Sequence, residues 1–573
     1  MKTLFRKIYR ILIVQLLVFT CISMQARSAH QEAVYLQTDR KTYIAGESVY
    51  YKMYVLDVPS KKRSHISKIG YIELRAPKSD PALKIRVQVD AGLANGCFLL
   101  PDTLPSGIYQ VVAFTSFMRN QGEQSFFQGN LVIVDRFDKK MDFKDLQSGK
   151  QDSSANHQAD LLPWIRTDKS VYAPREKVVL SLSNNTNQIA NVAVSVYEEP
   201  GVAATEKSII ETLKGWTVEP LLTDYLPESK AKILRGRVID AKTRKSVQSA
   251  TVLLSCPDIV PNLQYATTNM DGLFQMSLDD YYNSKELFLT LKDIPAGTNW
   301  KIEVEDNFNL SDKWEPERMS NKVPPDSFLL KSQDIVSINR SFKLEDGILR
   351  DTLVKKEPEG PQLYHIPVKS IYTSDFIPLN DFREIALEIL PTVIISKRDN
   401  TYKARLVSFL GSADADKDPA IFLDGVYIDD INKIMGLGSD RIHKIDVIQT
   451  ERAFGDLVFY GVISIISKSN EIVKTKPASN SLRIKNDRTN ICKNFEAVNP
   501  NSIKERHTPF FRQLLYWNPN LELKGNQPTD LEFYTSDNLG NFTIKMEGIT
   551  ENGLPVSSSF SFQVQNTDNT TAK

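Results

Sequence analysis

The chain has 573 residues, 41% of them hydrophobic, 9% aromatic and 25% charged, with 71 Lys and Arg against 70 Asp and Glu. Such a length calls for several domains, and the composition is ordinary for folded globular protein, which excludes global disorder. The near-balance of charge excludes a general electrostatic grip on nucleic acid.

The first 29 residues carry Lys2, Arg6, Lys7, Arg10 and Arg27 and no acid, around an apolar run from Ile11 to Ile22 and small-residue sites at Ala26 and Ala29. That run falls short of the roughly 20 residues a bilayer core demands, so 1–29 reads as a secretory signal peptide. Cys21 offers a lipidation site, but Val18-Phe19-Thr20 lacks the small residue that precedes a lipidated cysteine, and unlipidated processing after Ala26 or Ala29 is expected. No later run is long and apolar enough to span a membrane as a helix. Cys97, Cys256 and Cys492 would remain after export, an odd number far apart, and read as buried thiols rather than a disulfide framework. His30, His65, His157, His365, His443 and His507 never reach metal-ligand spacing, so no zinc and no other cofactor is expected.

The chain then repeats itself. Thr38-Asp39-Arg40-Lys41-Thr42-Tyr43-Ile44-Ala45-Gly46-Glu47-Ser48-Val49 aligns without gaps to Thr167-Asp168-Lys169-Ser170-Val171-Tyr172-Ala173-Pro174-Arg175-Glu176-Lys177-Val178. Each copy runs from a polar segment to a tyrosine, a turn, a glutamate and a β run, which predicts two β domains with Tyr43 and Tyr172 in their cores and the hydroxyls held by backbone. The pattern resembles the macroglobulin-type β-sandwich domains of bacterial alpha-2-macroglobulin-like proteins. Their thioester needs a Cys-Gly-Glu-Gln sequence; here Gln121-Gly122-Glu123-Gln124 has no cysteine, which excludes a covalent protease trap.

From Leu234, Gly236, Val238 and Asp240 open a β run and Asp271-Gly272 makes a hairpin turn before Phe274, a text that resembles the carboxypeptidase regulatory-like domain, a transthyretin-like sandwich. Asn307 to Pro378, rich in proline and charge, reads as an extended connector. Asp381 and Glu384 have capping-box spacing, and Phe382, Ile385, Ala386, Ile389 and Leu390 form one apolar stripe that Pro391 stops, which predicts an amphipathic helix.

Three apolar runs follow, Ala420 to Leu423, Ile442 to Ile448 and Val462 to Ile466, with a short helical pattern at Ile431, Ile434 and Met435 that Asp429 or Asp430 can cap. This is a small α/β module. Pro419, Asp424-Gly425-Val426, Ile445-Asp446-Val447 and Tyr460-Gly461-Val462-Ile463 resemble the motifs of the plug domain of TonB-dependent outer-membrane receptors. That family's barrel takes about 22 strands of roughly 9–11 residues, and the roughly 100 residues after Lys468 are too few, so a plug without its pore is expected. An apolar residue between two glycines marks Gly436, Leu437, Gly438 and Ser439 as a candidate partner contact. The C-terminal β runs, with Trp517 read as a buried aromatic rather than a glycan platform, predict one more sandwich.

The expected fold is therefore mainly β: a multidomain string of β-sandwiches, macroglobulin-like and transthyretin-like, plus a small α/β plug-like domain. Its segments are a signal peptide (1–29), sandwiches at 30–140 and 161–230 flanking a linker at 141–160, the regulatory-like sandwich (231–306), a connector (307–378), the plug-like domain (379–470), a linker (471–506) and a last sandwich (507–573). No Gly-x-Ser-x-Gly, His-Glu-x-x-His or phosphate-cradling loop is present, so no catalytic residues are assigned. Asp414 with Asp416 and Asp429 with Asp430 lack calcium-loop spacing and read as solvated turns. The order of modules resembles that of exported multidomain proteins of Gram-negative bacteria. The expectation is a non-enzymatic scaffold or docking subunit associated with the outer membrane, with outer-membrane or periplasmic proteins as partners. The alternatives are a glycan- or peptide-binding accessory of a separate TonB-dependent uptake system and an enzyme with an unrecognised site.

Overall fold

A computed structural model of the chain describes residues 30–76, 80–138, 164–200, 207–217, 224–283, 285–295, 297–308, 324–342, 369–398, 401–407, 418–486, 495–500 and 508–566. The signal peptide, Cys21, the 141–160 linker, Asp414, Asp416 and Cys492 lie outside them. The fold is mainly β. The chain divides into two compact units: Met1–Ser229 with Leu310–Asp351 and Asn490–Lys573, and Lys230–Asn309 with Thr352–Thr489.

The first unit holds two sandwiches. In one, Glu32–Thr38, Ser48–Asp57 and Leu93–Leu99 form a three-stranded sheet over a five-stranded sheet ordered Thr42–Ile44, Phe127–Val134, Gly107–Phe114, Ile69–Arg75 and Pro81–Gln88. Cys97, on the first sheet, is disulfide-bonded. Among the described residues the expectation of a buried thiol therefore holds for Cys256 alone.

The other sandwich departs from the sequence reading. Trp164–Thr167, Val171–Tyr172, Lys177–Ser183 and Ile189–Glu198 supply half of its strands, and Leu514–Lys524, Thr529–Tyr534, Gly540–Thr550 and Pro555–Val564 the rest. Ile189–Glu198 lies between Leu514–Lys524 and Gly540–Thr550, antiparallel to both. The segments read as separate sandwiches, 161–230 and 507–573, are two halves of one. Alternation at Val192, Val194 and Val196 reveals a strand and its buried face, but period 2 carries no information about which strand pairs with it.

The two repeat copies build the same hydrogen-bonded cage. The Tyr43 hydroxyl donates to Asp39 Oδ1 at 2.8 Å and the Tyr172 hydroxyl to Asp168 Oδ1 at 2.8 Å. The same two carboxylate oxygens accept the amides of Tyr50 (2.7 Å) and Val179 (2.8 Å), while Glu47 and Glu176 each accept an amide across their turn, from Ile44 and Ala173, both at 2.7 Å. Both rings are buried, and the Arg40 and Lys169 amides donate to their hydroxyls, the backbone hold that the repeat predicts.

Within the stretch read as an extended connector, Asp326–Ser341 is a helix of 16 residues. Leu329 and Val336 pack on Ile44 and Val134 of the first sandwich. Gln333 Nε2 donates to the carbonyls of Asp135 (2.6 Å) and Asp138 (2.9 Å). Toward the second sandwich, Lys331 pairs with Glu198 at 2.5 Å, and Gln513 donates to Ser332 at 2.6 Å. Hydropathy overlooks this helix because Ser332 and Gln333 occupy buried positions through hydrogen bonds rather than apolar contact.

In the second unit, a sandwich pairs the sheet Leu273–Leu278, Lys232–Asp240, Trp300–Val304 with the sheet Leu263–Thr267, Thr251–Ser255, Glu286–Lys292, Ser481–Lys485. Gly236 is required there, since a Cβ would stand 2.7 Å from the Glu303 carbonyl. The last strand and the helix Glu471–Lys474 fall in the segment read as a 471–506 linker; Ser481 to Lys485 pairs residue by residue with Thr290 to Glu286. The α/β module has the sheet order Lys369–Tyr372, Ile442–Ile448, Val462–Ser467, Ala420–Leu423, Val426–Ile428, with the Ala420–Leu423 and Val462–Ser467 strands parallel. Its three long strands match the three apolar runs read from sequence. One face carries Ile421, Leu423, Ile445, Val447, Ile463 and Ile465, covered by the Phe382–Ile389 helix. The other carries Phe422, Ile448 and Val462, covered by Leu253 and Leu263 of the sandwich. A sheet buried on both faces reads as continuous apolar runs rather than alternation.

Candidate functional site

The candidate site is built at the margin of the five-stranded sheet. Asp424 and Gly425 take φ of 51° and 84°, closing the hairpin between Ala420–Leu423 and Val426–Ile428. The Asp424 carboxylate accepts the Ser467 amide (2.7 Å), the Ser467 hydroxyl (2.8 Å) and the Ile472 amide (3.1 Å), so the turn also anchors the short helix Glu471–Lys474. Glu471 accepts from Ser469 at 2.6 Å and pairs with Arg441 and with Lys474. The Ser469 hydroxyl first, then Arg441 and Lys474, hold its carboxyl down at about 2. Asp430 caps the turn Ile431–Lys433 by accepting the Asn432 amide at 2.9 Å.

Beyond that turn lie the residues singled out from sequence. Gly436 is exposed, but Leu437, Gly438 and Ser439 are buried. Leu437 belongs to the module's own core. The Ser439 amide donates to the Leu379 carbonyl at 2.9 Å, and the Leu379 amide returns a bond to Ser439 Oγ at 2.8 Å. A Cβ on Gly438 would stand 2.8 Å from the Asn380 carbonyl, so this glycine permits a close backbone approach. The apolar tip expected to meet another domain or protein is instead stitched to residues 379–380 of the same module. The leucine packs inward here because Gly438, next to it, lets the backbone close down on its neighbour, whereas Gly436 faces open space.

The exposed apolar surface lies beside it. Tyr372 ends the edge strand Lys369–Tyr372, its ring edge-on to His443 at 5.7 Å, and Phe376 and Ile377 follow at 45% and 78% exposure. The Phe382–Ile389 helix starts at the expected Asp381 cap, with the Glu384 amide donating to Asp381 at 2.8 Å, but the Glu384 carboxylate accepts the Asn380 amide (2.7 Å) instead of completing a capping box; the helix turns Phe382, Ile385, Ala386 and Ile389 inward. Sequence reasoning missed Phe376 and Ile377 because they were absorbed into the connector. The available signal was two large apolar residues outside the helix stripe, directly before Pro378.

Other candidate groups are occupied by structure. Trp517 is buried with Tyr50, Ala193 and Leu514, as a core aromatic and not a platform. Cys256 lies beside Tyr281, whose hydroxyl donates to Asp258 at 2.7 Å, and Lys285 pairs with Asp258 at 3.2 Å. Burial pushes the Cys256 thiol up to about 11, although Lys285 and Tyr281 pull the other way, which is the reverse of an activated nucleophile. Asp429 pairs with Lys433 and accepts from Asn480 at 2.7 Å. Among the described residues, no group of three or more His, Cys, Asp or Glu is placed to hold a metal, and no helix is long and apolar enough to cross a membrane.

The chain matches no protein-family model and no curated protein. Among solved structures, Escherichia coli alpha-2-macroglobulin activated by porcine elastase aligns over 94% of this chain and 44% of its own, at 8% identity and a TM-score of 0.24. Salmonella alpha-2-macroglobulin reacted with methylamine aligns over 94% and 23%, at 8% identity and a TM-score of 0.16. The Yersinia pseudotuberculosis adhesin InvE aligns over 47% and 57%, at 8% identity and a TM-score of 0.13. The chain spans less than half the length of these macroglobulins. Overlays this loose carry no argument about function.

Proposed function

We propose that the chain is a non-enzymatic cell-envelope protein, a scaffold or docking subunit at the outer membrane, with Tyr372, Phe376 and Ile377 in the face that meets a partner protein. One observation carries this reading. The plug-like sheet has both faces covered from within its own unit, yet its margin leaves these three large apolar side chains in water. Exposed apolar groups gathered on one stretch mark a surface that another protein covers. The disulfide at Cys97 supports export to an oxidising compartment. Trp517, the residue weighed from sequence as a glycan platform, is buried and gives a glycan reading no support.

A photo-crosslinking residue placed at position 377 of the full-length protein, in intact envelopes, tests the reading. Discrete crosslinked species are expected, absent when the probe stands at exposed Lys84 and weakened by Phe376→Asp. The same pattern from both probes, unchanged by Phe376→Asp, would dispose of this face as the docking surface.

A further inference from the structure

The Ser48–Asp57 strand is buried along its whole interior, on both faces. Val49, Met53 and Val55 point into their own sandwich, while Tyr50, Lys52 and Tyr54 point at the second sandwich of the same unit. That seam is polar. Tyr35 donates to Glu547 Oε2 at 2.5 Å, Tyr54 to the Glu547 carbonyl at 3.0 Å, and Asn520 to Asn95 at 2.9 Å. Lys52, fully buried, donates to Asn520 Oδ1 and has no carboxylate within ion-pair distance among the described residues. Gln37, directly across from Lys52, buries an amide nitrogen and oxygen that have no hydrogen-bond partner among the described residues, and the buried Ser195 hydroxyl has none either. Of the other charges near the seam, Glu547 is engaged by Tyr35 and Lys545, and Arg63 repels the Lys52 ammonium.

Interfaces closed for good resemble a domain core, whereas polar ones allow relative motion. We propose that this seam is a working joint: the two sandwiches part and re-close in the native protein, and the joint closes most tightly when Lys52 is uncharged. An ammonium that exchanges water for one neutral acceptor and the face of the Tyr54 ring at 5.6 Å favours the open state, where water returns. Burial first, then Arg63, lower the Lys52 pKa from 10.5 to about 7 in the closed state. Closing therefore releases a proton between those two values. The closed state gains as pH rises from about 7 to 10.5, by up to about tenfold per pH unit, and levels off below 7, where both states hold the proton.

Trp517, buried in the seam, reports on this in the full-length protein through acrylamide quenching of the emission that Trp517→Phe removes. Quenching should fall severalfold from about pH 7.5 to about pH 9.5. Lys52→Met removes the charge and Asn520→Asp pairs it, so each should give the low value already at about pH 7.5. Two variants of opposite chemistry keep the test valid if one misfolds. Quenching at about pH 7.5 as low in the unaltered protein as in the variants, or unchanged by either, would show a seam that does not open.

Discussion

Asp39 and Asp168 accept the same pair of hydrogen bonds in the two repeat copies, yet their surroundings drive them in opposite directions. Burial raises Asp39 to about 6 despite Arg40, Tyr43 and the Tyr50 amide. At Asp168 burial is again the first influence and acts upward, but the Val179 amide, the Tyr172 hydroxyl and Lys169 outweigh it and the carboxyl falls below its ordinary value. The two sites then contribute to stability with opposite signs. Asp39 binds its proton more tightly when folded, so its contribution is complete below about pH 4 and is lost as pH rises through about 6. Asp168 contributes above the ordinary carboxylate range and loses that as pH falls. Asp39→Asn should accordingly be least harmful near neutral pH and Asp168→Asn least harmful in acid. Thermal melts of both variants across this range decide it; parallel pH profiles would mean that the cages share one environment.

At the scale of elements, loop 436–439, expected to meet a partner, packs within its own module, and the proposed docking face falls on 376–377, which the sequence reading left in a connector. Leu437→Ala should cost about 2–5 kcal/mol, as core truncations do, and Leu437→Asp more, because a carboxylate would be buried without a partner. Ile377→Asp should change stability by no more than about 0.5 kcal/mol while weakening docking. Denaturant unfolding of the three variants checks the contrast, and an Ile377 variant as unstable as the Leu437 ones would place Ile377 in a core. What was legible follows the same division. Apolar runs gave the strands of the α/β module, and Asp381 with Glu384 gave its helix, because both are local patterns. The helix Asp326–Ser341 stayed hidden because its buried side includes Ser332 and Gln333, and Lys52 gave no sign because a lysine within an apolar run reads as the solvent side. No docking residue was legible, since Leu437 and Ile377 differ in burial and not in chemistry.

For the whole molecule, the decisive fact is that neither unit is a continuous piece of chain. The second sandwich closes only when 514–564 joins 164–198, and the α/β module sits in the chain between two parts of the sandwich that covers it. Cleavage at a protease site introduced between residues 500 and 508 of the full-length protein should therefore leave the pieces together. Gel filtration should show one species until denaturant is added, and spontaneous release of the C-terminal fragment would contradict the shared sandwich.

This interleaving sets a clock on biogenesis. Asn184 bonds the carbonyl of Leu523, 339 residues further along the chain. At synthesis rates of roughly 5–20 residues per second, the Ile189–Glu198 strand waits about 15–70 s before either neighbour exists. Through that interval Val192, Val194 and Val196 have no sheet to join, the condition under which strands pair with the wrong chain. Holding the emerging polypeptide apart from its fellows until its last strands arrive is a demand that the topology places on the cell.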